Sequence, residues 1–393
     1  MNKQLSNTAV QEYIHQQLNA DVHQIAMAKS PFPEISGKEL ANQIAAKKKS
    51  SRKLPSWFNT PGIYYPPLLS VEQCSSEVTA AYKAQLSKGT TLIDLTGGFG
   101  VDSYYFSKHN QSVIHCEINE ELSEIAHYNA PLLGQTHTSF ISGDGIAFLK
   151  DTDQHFDTIY IDPARRSSSG KVFMLKDCTP NVVENLDLLL KKGKRILIKT
   201  APLLDLSAGL KELDQVAEIH IVSVKNECKE LIWILEPGFK GNTQIVCTTL
   251  NTVQKQFKFY TGDEVPAAAT CPVTEGTYLY EPDVALLKGG AFNLIAERYQ
   301  LQKIQPQTQL YTAAEIYPEF PGRIFKIEQV MSAGMIKKEK NLAGSVIVRN
   351  YPDKAATLVD KYQIKPHDTR FMIFTQSGQE GKIIIRATII QHY

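Results

Sequence analysis

The chain has 393 residues, of which 42% are apolar and 21% charged, and a formal net charge of +1 at pH 7. That make-up belongs to a globular protein of two or three domains, at the usual ~100–200 residues each, and excludes a disordered or fibrous chain. No apolar run approaches the ~20 residues of a membrane-spanning helix.

The first residues, Met1-Asn2-Lys3-Gln4-Leu5-Ser6, contain no apolar signal stretch, so the expected location is cytoplasmic. The six cysteines at 74, 116, 178, 228, 247 and 271 form no CxxC pair, and neither a metal site nor a disulfide framework is expected. Residues 1–70 read as an N-terminal helical region with a basic run at Lys47-Lys48-Lys49-Ser50-Ser51-Arg52-Lys53. Prolines at 55, 61, 66 and 67 break it into extended chain. Glu72 to Leu86 reads as one helix.

From Thr91 to Leu235 apolar runs alternate with helix-like stretches. The runs are 91–95, 112–116, 139–142, 158–161, 195–199, 218–224 and 231–235. The helices between them fall near 102–109, 120–129, 145–149, 181–190 and 203–213. This is the pattern of an α/β domain with a mostly parallel sheet, placed here at 71–275. The last two runs are separated only by 225–230, too short for a crossover helix, so the seventh strand is expected to run antiparallel to its neighbour. A seven-strand Rossmann-like core of that kind suits a methyltransferase, not a dehydrogenase.

Beyond Glu236-Pro237-Gly238, 244–250 and 256–260 read as a hairpin, and Leu279-Tyr280-Glu281-Pro282-Asp283 opens a helical stretch to Tyr299. Residues 276–321 form a linking α+β segment that a ferredoxin-like unit would fit. Residues 322–393 form a small α+β module, with strands near 345–349, 370–375 and 382–390 and a helix near 355–362. That module carries twelve Lys or Arg against six Asp or Glu, a net of +6, so the rest of the chain carries −5. The asymmetry suits a polyanionic partner, or is simply a basic solvated surface.

The chemistry concentrates at strand ends, where open parallel sheets bind ligands. Asp94-Leu95-Thr96-Gly97-Gly98-Phe99-Gly100 is a glycine turn between a strand and a helix, and its glycines let the backbone approach a ligand closely. Asp94 at the strand exit suits a cationic ligand, such as the aminoacyl end of S-adenosylmethionine. An ordinary β-to-α turn is the alternative. Asp102, in the first turn of the following helix, either contacts the cofactor's amine or favours the positive helix end. Glu117 ends the second strand, placed to accept hydrogen bonds from ribose hydroxyls. Asp144, between Gly143 and Gly145, ends the third and is placed for the adenine amino group. Asp162-Pro163-Ala164-Arg165-Arg166 ends the fourth, and Lys199 ends the fifth. The polar stretch from Gln73 to Lys83 either closes over the cofactor's methionine end or is a capped surface helix.

Residues 94–100 resemble motif I of the class I S-adenosylmethionine-dependent methyltransferases, and Asp162-Pro163-Ala164-Arg165 resembles their motif IV. More narrowly, nearly the whole chain resembles bacterial methyltransferase-like proteins with a THUMP-like C-terminal domain. Leu54-Pro55-Ser56-Trp57, Glu72-Gln73-Cys74-Ser75-Ser76-Glu77 and Tyr280-Glu281-Pro282-Asp283 fit that likeness. The resemblance implies S-adenosylmethionine as cofactor and RNA, tRNA or rRNA, as partner, with no membrane and no metal. It implies Asp94, Thr96, Gly97, Gly98, Gly100, Asp102, Glu117, Asp144 and Asp162 as cofactor-binding residues. Asp162 and Arg165 would act on the acceptor, and Pro163, Arg165, Arg166 and Lys199 would hold substrate.

Motif IV departs from the Asp-Pro-Pro-aromatic form of many base-nitrogen methyltransferases. A guanidinium plane at Arg165 or Arg166 can stack on a base or clamp a phosphate, or the pair is a salt-bridged loop. No cysteine lies in 162–166, which argues against covalent C5-pyrimidine chemistry. The reading is an RNA methyltransferase using direct in-line transfer to a base nitrogen or a ribose oxygen. The alternatives are a small-molecule or protein methyltransferase, and a catalytically silent RNA-binding protein.

Overall fold

Short polar side chains start the helices of the N-terminal region. The computed structural model describes residues 1–165, 174–263, 265–378 and 380–393, with Arg165 by its backbone alone. In helix α1 (Gly37–Lys53) Ser36 and Glu39 cap each other reciprocally. Its apolar face joins a core of Trp57, Tyr65, Phe99, Val101, Tyr104 and Ile125. The Trp57 and Tyr104 rings meet edge-on at 4.9 Å. The N-terminal helices are therefore built into the same core as the glycine turn.

The expected single helix over 72–86 is two, Leu68–Gln73 and α2 (Glu77–Leu86), because Cys74 turns extended and Ser76 caps the second. The alternating segment follows as strands β1 (Thr91–Asp94), β2 (Ser112–Glu117), β3 (Thr138–Ser142), β4 (Thr158–Ile161), β5 (Ile196–Thr200), β6 (Val216–Val224) and β7 (Glu227–Leu235). Helices α3 (Val101–Ser107), α4 (Glu120–Leu132), α5 (Gly145–Asp151), α6 (Leu186–Lys192) and α7 (Leu206–Glu212) separate the first six. These seven strands belong to a nine-stranded sheet, in which their order is β6-β7-β5-β4-β1-β2-β3. β1 to β5 pair in parallel, and β7, the seventh run, is antiparallel to its neighbour β5. Register places Asp94 opposite His115 and Tyr160, and Ile161 opposite Ile198. The strand exits consequently line up along one edge. Cys178–Thr179 pairs with Ala164–Arg165 as a short antiparallel ribbon.

The chain divides into two compact units, one of residues 1–218 and 231–241, the other of 219–230 and 242–393. In the second, β8 (Gln244–Leu250) and β9 (Gln254–Tyr260) form the expected hairpin. Residues 278–391 build a seven-stranded sheet. Its strands are β10 (Tyr278–Pro282), β11 (Gln302–Gln305), β12 (Thr308–Ala313), β13 (Gly322–Ser332), β14 (Ser345–Val348), β15 (Arg370–Ser377) and β16 (Gly381–Gln391), in the order β11-β12-β10-β13-β16-β15-β14. The stretch 279–299 is not all helical. Tyr278–Pro282 is an inner strand, and α8 (Val284–Gly289) and α9 (Phe292–Arg298) are parted by Gly290 at φ 75°. The helix α10 (Ala355–Tyr362) bridges the parallel pair β14/β15. Among the described residues no helix is long and apolar enough to cross a membrane.

Candidate active site

The glycine turn is shaped by what lies beneath it. A Cβ on Gly97 would fall 2.1 Å from Cε1 of His115, so only glycine lets the loop rest on that ring. Gly100, at φ 84°, turns the chain into α3. His115 is fully buried, and burial pushes its imidazole down to about 3, so it is neutral.

Asp94 is only 1% exposed. It accepts hydrogen bonds from the Ser103 hydroxyl at 2.6 Å and the Thr96 N–H at 3.1 Å. Ser103, having donated to Asp94, accepts from Nδ1 of His115 at 3.0 Å. Asp94 thus ties β1, the turn and α3 together from below. Burial, relieved only in part by the Ser103 hydrogen bond, pushes its carboxyl up to about 8. Folded Asp94 therefore holds a proton that the unfolded chain releases near pH ~4. Its contribution to stability is largest in acid and declines as pH rises from ~4 toward 8. In thermal melts between pH 5 and 8, wild type should lose stability relative to Asp94→Asn. Parallel pH profiles would show that Asp94 ionises normally in the fold.

Beside this lies a buried ion pair that the sequence reading did not identify. Lys83 on α2 is fully buried, with Nζ 3.1 Å from Oδ1 of Asp102 and 2.7 Å from the Ser75 hydroxyl. Oδ2 of Asp102 accepts from Ser75 at 2.8 Å and from the Tyr160 hydroxyl at 3.1 Å. Burial alone would raise the Asp102 carboxyl; the ammoniums of Lys83 and Lys199 outweigh it and hold the group below the usual range. The stretch from Gln73 to Lys83 is thus capped, as expected of a surface helix, yet its inner side is a charged wall under α3. A polar pair at positions 75 and 83 beside a buried strand was the only signal for it in the sequence.

Asp162 follows β4. Its N–H donates to the Thr96 hydroxyl at 2.7 Å, and its carboxylate receives Nζ of Lys199 at 2.6 Å. Motifs I and IV and the end of β5 are therefore joined directly. Glu117 reaches the same turn from β2, accepting the Gly98 N–H at 2.8 Å and the Asn119 N–H at 2.8 Å. Ile118, next in the chain, is 72% exposed, an apolar surface beside the acid. Asp144 caps α5 through the Ile146 N–H at 2.8 Å and is exposed. Gly145 packs on Leu95, where a Cβ would meet the Leu95 oxygen at 2.5 Å. Pro163 is buried, while the Arg165 side chain and all of Arg166 lie outside the described residues.

Two more residues belong to this cluster. Lys53, at the end of α1, donates to the Glu72 carbonyl at 2.5 Å, and its ammonium is lowered by burial and by the charge of Lys199. Cys74 also feels Lys53 and Lys199, yet burial pushes its thiol up to about 11 and the S–H donates to the Val71 carbonyl at 3.2 Å. A thiol held protonated is a poor nucleophile, so Cys74 offers no covalent route.

A family of ferredoxin-like domains matches residues 278–321. A protein of Mycoplasma mobile described as an uncharacterized RNA methyltransferase is 30% identical over 169 residues, 39% of this chain and 46% of that one. The chain thus spans about half the length of that relative. An uncharacterized S-adenosylmethionine-dependent methyltransferase of Mycobacterium tuberculosis is 22% identical over 256 residues, 64% of this chain and 67% of its own. A solved structure from Porphyromonas gingivalis W83, described as a "putative methyltransferase", aligns over 99% of both chains with a TM-score of 0.85 and 28% identity. With strand order β6-β7-β5-β4-β1-β2-β3 and the glycine turn at the exit of β1, the chain is similar over nearly its whole length to the Porphyromonas gingivalis protein, and a ferredoxin-like segment lies in its C-terminal half.

Proposed function

We propose that the chain is an S-adenosylmethionine-dependent methyltransferase that methylates a base nitrogen of tRNA or rRNA by direct in-line transfer. One observation carries the reading: Glu117 holds Gly98 and Thr96 holds Asp162, so the ends of β1, β2 and β4 are tied to the glycine turn. The residues fit the cofactor. Gly98 is only half-buried at the turn, Glu117 suits ribose hydroxyls, Ile118 offers an apolar face for adenine, and Asp144 stands at the next strand end. Asp94 and Asp102 are positioning residues in this reading, because both are buried and face Ser103, Thr96, Ser75, Tyr160 and Lys83 inside the fold, whereas Glu117 is half-buried. The cofactor supplies a methyl group already activated on a sulfonium, so the protein contributes orientation and electrostatics.

Asp162 accepts a hydrogen bond from the acceptor amine and holds its lone pair in line. Lys199 keeps that carboxylate aimed. Arg165 and Arg166 hold the RNA, and the THUMP-like residues 322–393 position it through its backbone, within a cytoplasmic protein. The relative described as an RNA methyltransferase supports RNA over a small molecule.

The test is calorimetry with the cofactor, followed by transfer of a labelled methyl group to unmodified RNA from a deletion strain. Glu117→Ala should weaken S-adenosylmethionine and S-adenosylhomocysteine alike, by roughly 10- to 100-fold, since both carry the same ribose. Loss of only one of them would place Glu117 elsewhere. RNA left unlabelled by a protein that binds the cofactor would point to a different acceptor.

A further inference from the structure

The motif Tyr280-Glu281-Pro282-Asp283 contributes no residue to the strand-end site described above. It lies in the second unit, and Glu281 there is 2% exposed. Arg323 donates to its Oε2 through Nε at 2.6 Å, with Nη2 at 2.5 Å, and Nη2 of Arg349 lies 2.5 Å from Oε1. One buried carboxylate therefore orients two guanidiniums and leaves a net positive charge. Arg323 is also held between rings, its guanidinium carbon 4.7 Å from the Tyr393 centroid and 5.7 Å from that of Phe371.

Both arginines open onto one cavity of about 610 Å³, lined also by Ser345, Asp368, Phe371 and His392. Ala355, the first residue of α10, lines it too, and no side chain caps that helix. A structural tie needs only one arginine to neutralise Glu281. The second is 41% exposed, and a guanidinium carries five N–H donors, more than Glu281 can accept.

We propose that this cavity binds a phosphate group, held bidentately by Arg323 and Arg349, with Glu281 as the positioning residue that sets both forks. The site shares no residue with the proposed methyl-transfer site and does not rest on that reading. The phosphate belongs either to an RNA strand or to a free nucleotide. Asp368, an exposed acid on the rim, opposes the ligand.

The experiment titrates the full-length protein with inorganic phosphate, with a nucleoside monophosphate, and with an unmodified oligoribonucleotide at fixed ionic strength. Saturable phosphate binding is expected. Arg349→Ala should weaken it roughly tenfold or more, Arg349→Lys should restore part, and Asp368→Asn should tighten it. Arg349→Ala leaves Glu281 paired with Arg323, and an unchanged melting temperature would confirm the fold. The monophosphate arm competing fully for the site marks a free nucleotide as the source. The oligonucleotide winning by a margin lost in Arg349→Ala marks the RNA strand. Phosphate affinity equal in wild type and Arg349→Ala, or no saturable binding by wild type, overturns the assignment. Cofactor affinity, read in the same samples, should not change. A protein that fails to bind the cofactor yet binds phosphate refutes the methyltransferase reading alone.

Discussion

Asp162→Ala should lose methyl transfer by about 10²- to 10⁴-fold while keeping its affinity for S-adenosylmethionine close to wild type. An exocyclic amine conjugated with a base is a weak nucleophile, so a placed acceptor has much to contribute. Asp162 follows β4, with its N–H on Thr96 and its carboxylate on Lys199. The pair is partly solvated, Asp162 being 33% exposed and Lys199 15%. Such a pair contributes only ~0–1 kcal/mol to stability. A large kinetic loss with an unmoved melting temperature therefore isolates a chemical role from a structural one. Asp162→Asn should keep part of the rate if an oxygen acceptor suffices, and almost none if the negative charge is needed. Single-turnover transfer on unmodified RNA measures this, and near-normal rates in Asp162→Ala would remove the residue from the reaction.

The second large effect is on stability. Asp102→Ala removes the carboxylate that faces the fully buried Lys83 ammonium, 3.1 Å away. Breaking a buried pair from one side costs about 3–5 kcal/mol, against total stabilities of roughly 5–15 kcal/mol. For a unit of this size the melting temperature should fall by roughly 10 °C. The double change Lys83→Met with Asp102→Leu removes both charges and should cost much less. The pH dependence carries the opposite sign to that of Asp94. The Asp102 carboxyl is held below its ordinary range in the fold, so its contribution is complete above pH ~4 and disappears as pH falls through the lower folded value. Wild type should lose more stability than Asp102→Ala on acidification below pH ~4. A single replacement no worse than the double would show that Lys83 finds another partner or water.

The same contrast between local and distant partners decides how much of this protein is legible in its sequence. The alternation from β1 to β7 and the antiparallel last strand follow from apolar period and from the shortness of 225–230, which are local quantities. The glycine turn is equally local, because backbone torsions and the lack of a Cβ are properties of the residues themselves. The sequence also placed Glu117, Asp144 and Asp162 at strand exits, and parallel register brings those exits to one edge.

What tertiary structure decided is which charges are already matched. Asp102 meets Ser75 across 27 residues, and Asp94 meets a serine on the next helix, so both acids face inward. The sequence carries the charge of a carboxylate but not its desolvation, and desolvation is what raises Asp94. The segment 279–299 shows the same limit for secondary structure. Its apolar residues satisfy a helix as well as a strand, and Tyr278–Pro282 extends because β12 and β13 lie on either side to take its hydrogen bonds. Glu281 meets Arg323 and Arg349 only when that sheet is assembled, since burial and long-range pairing belong to the folded chain alone.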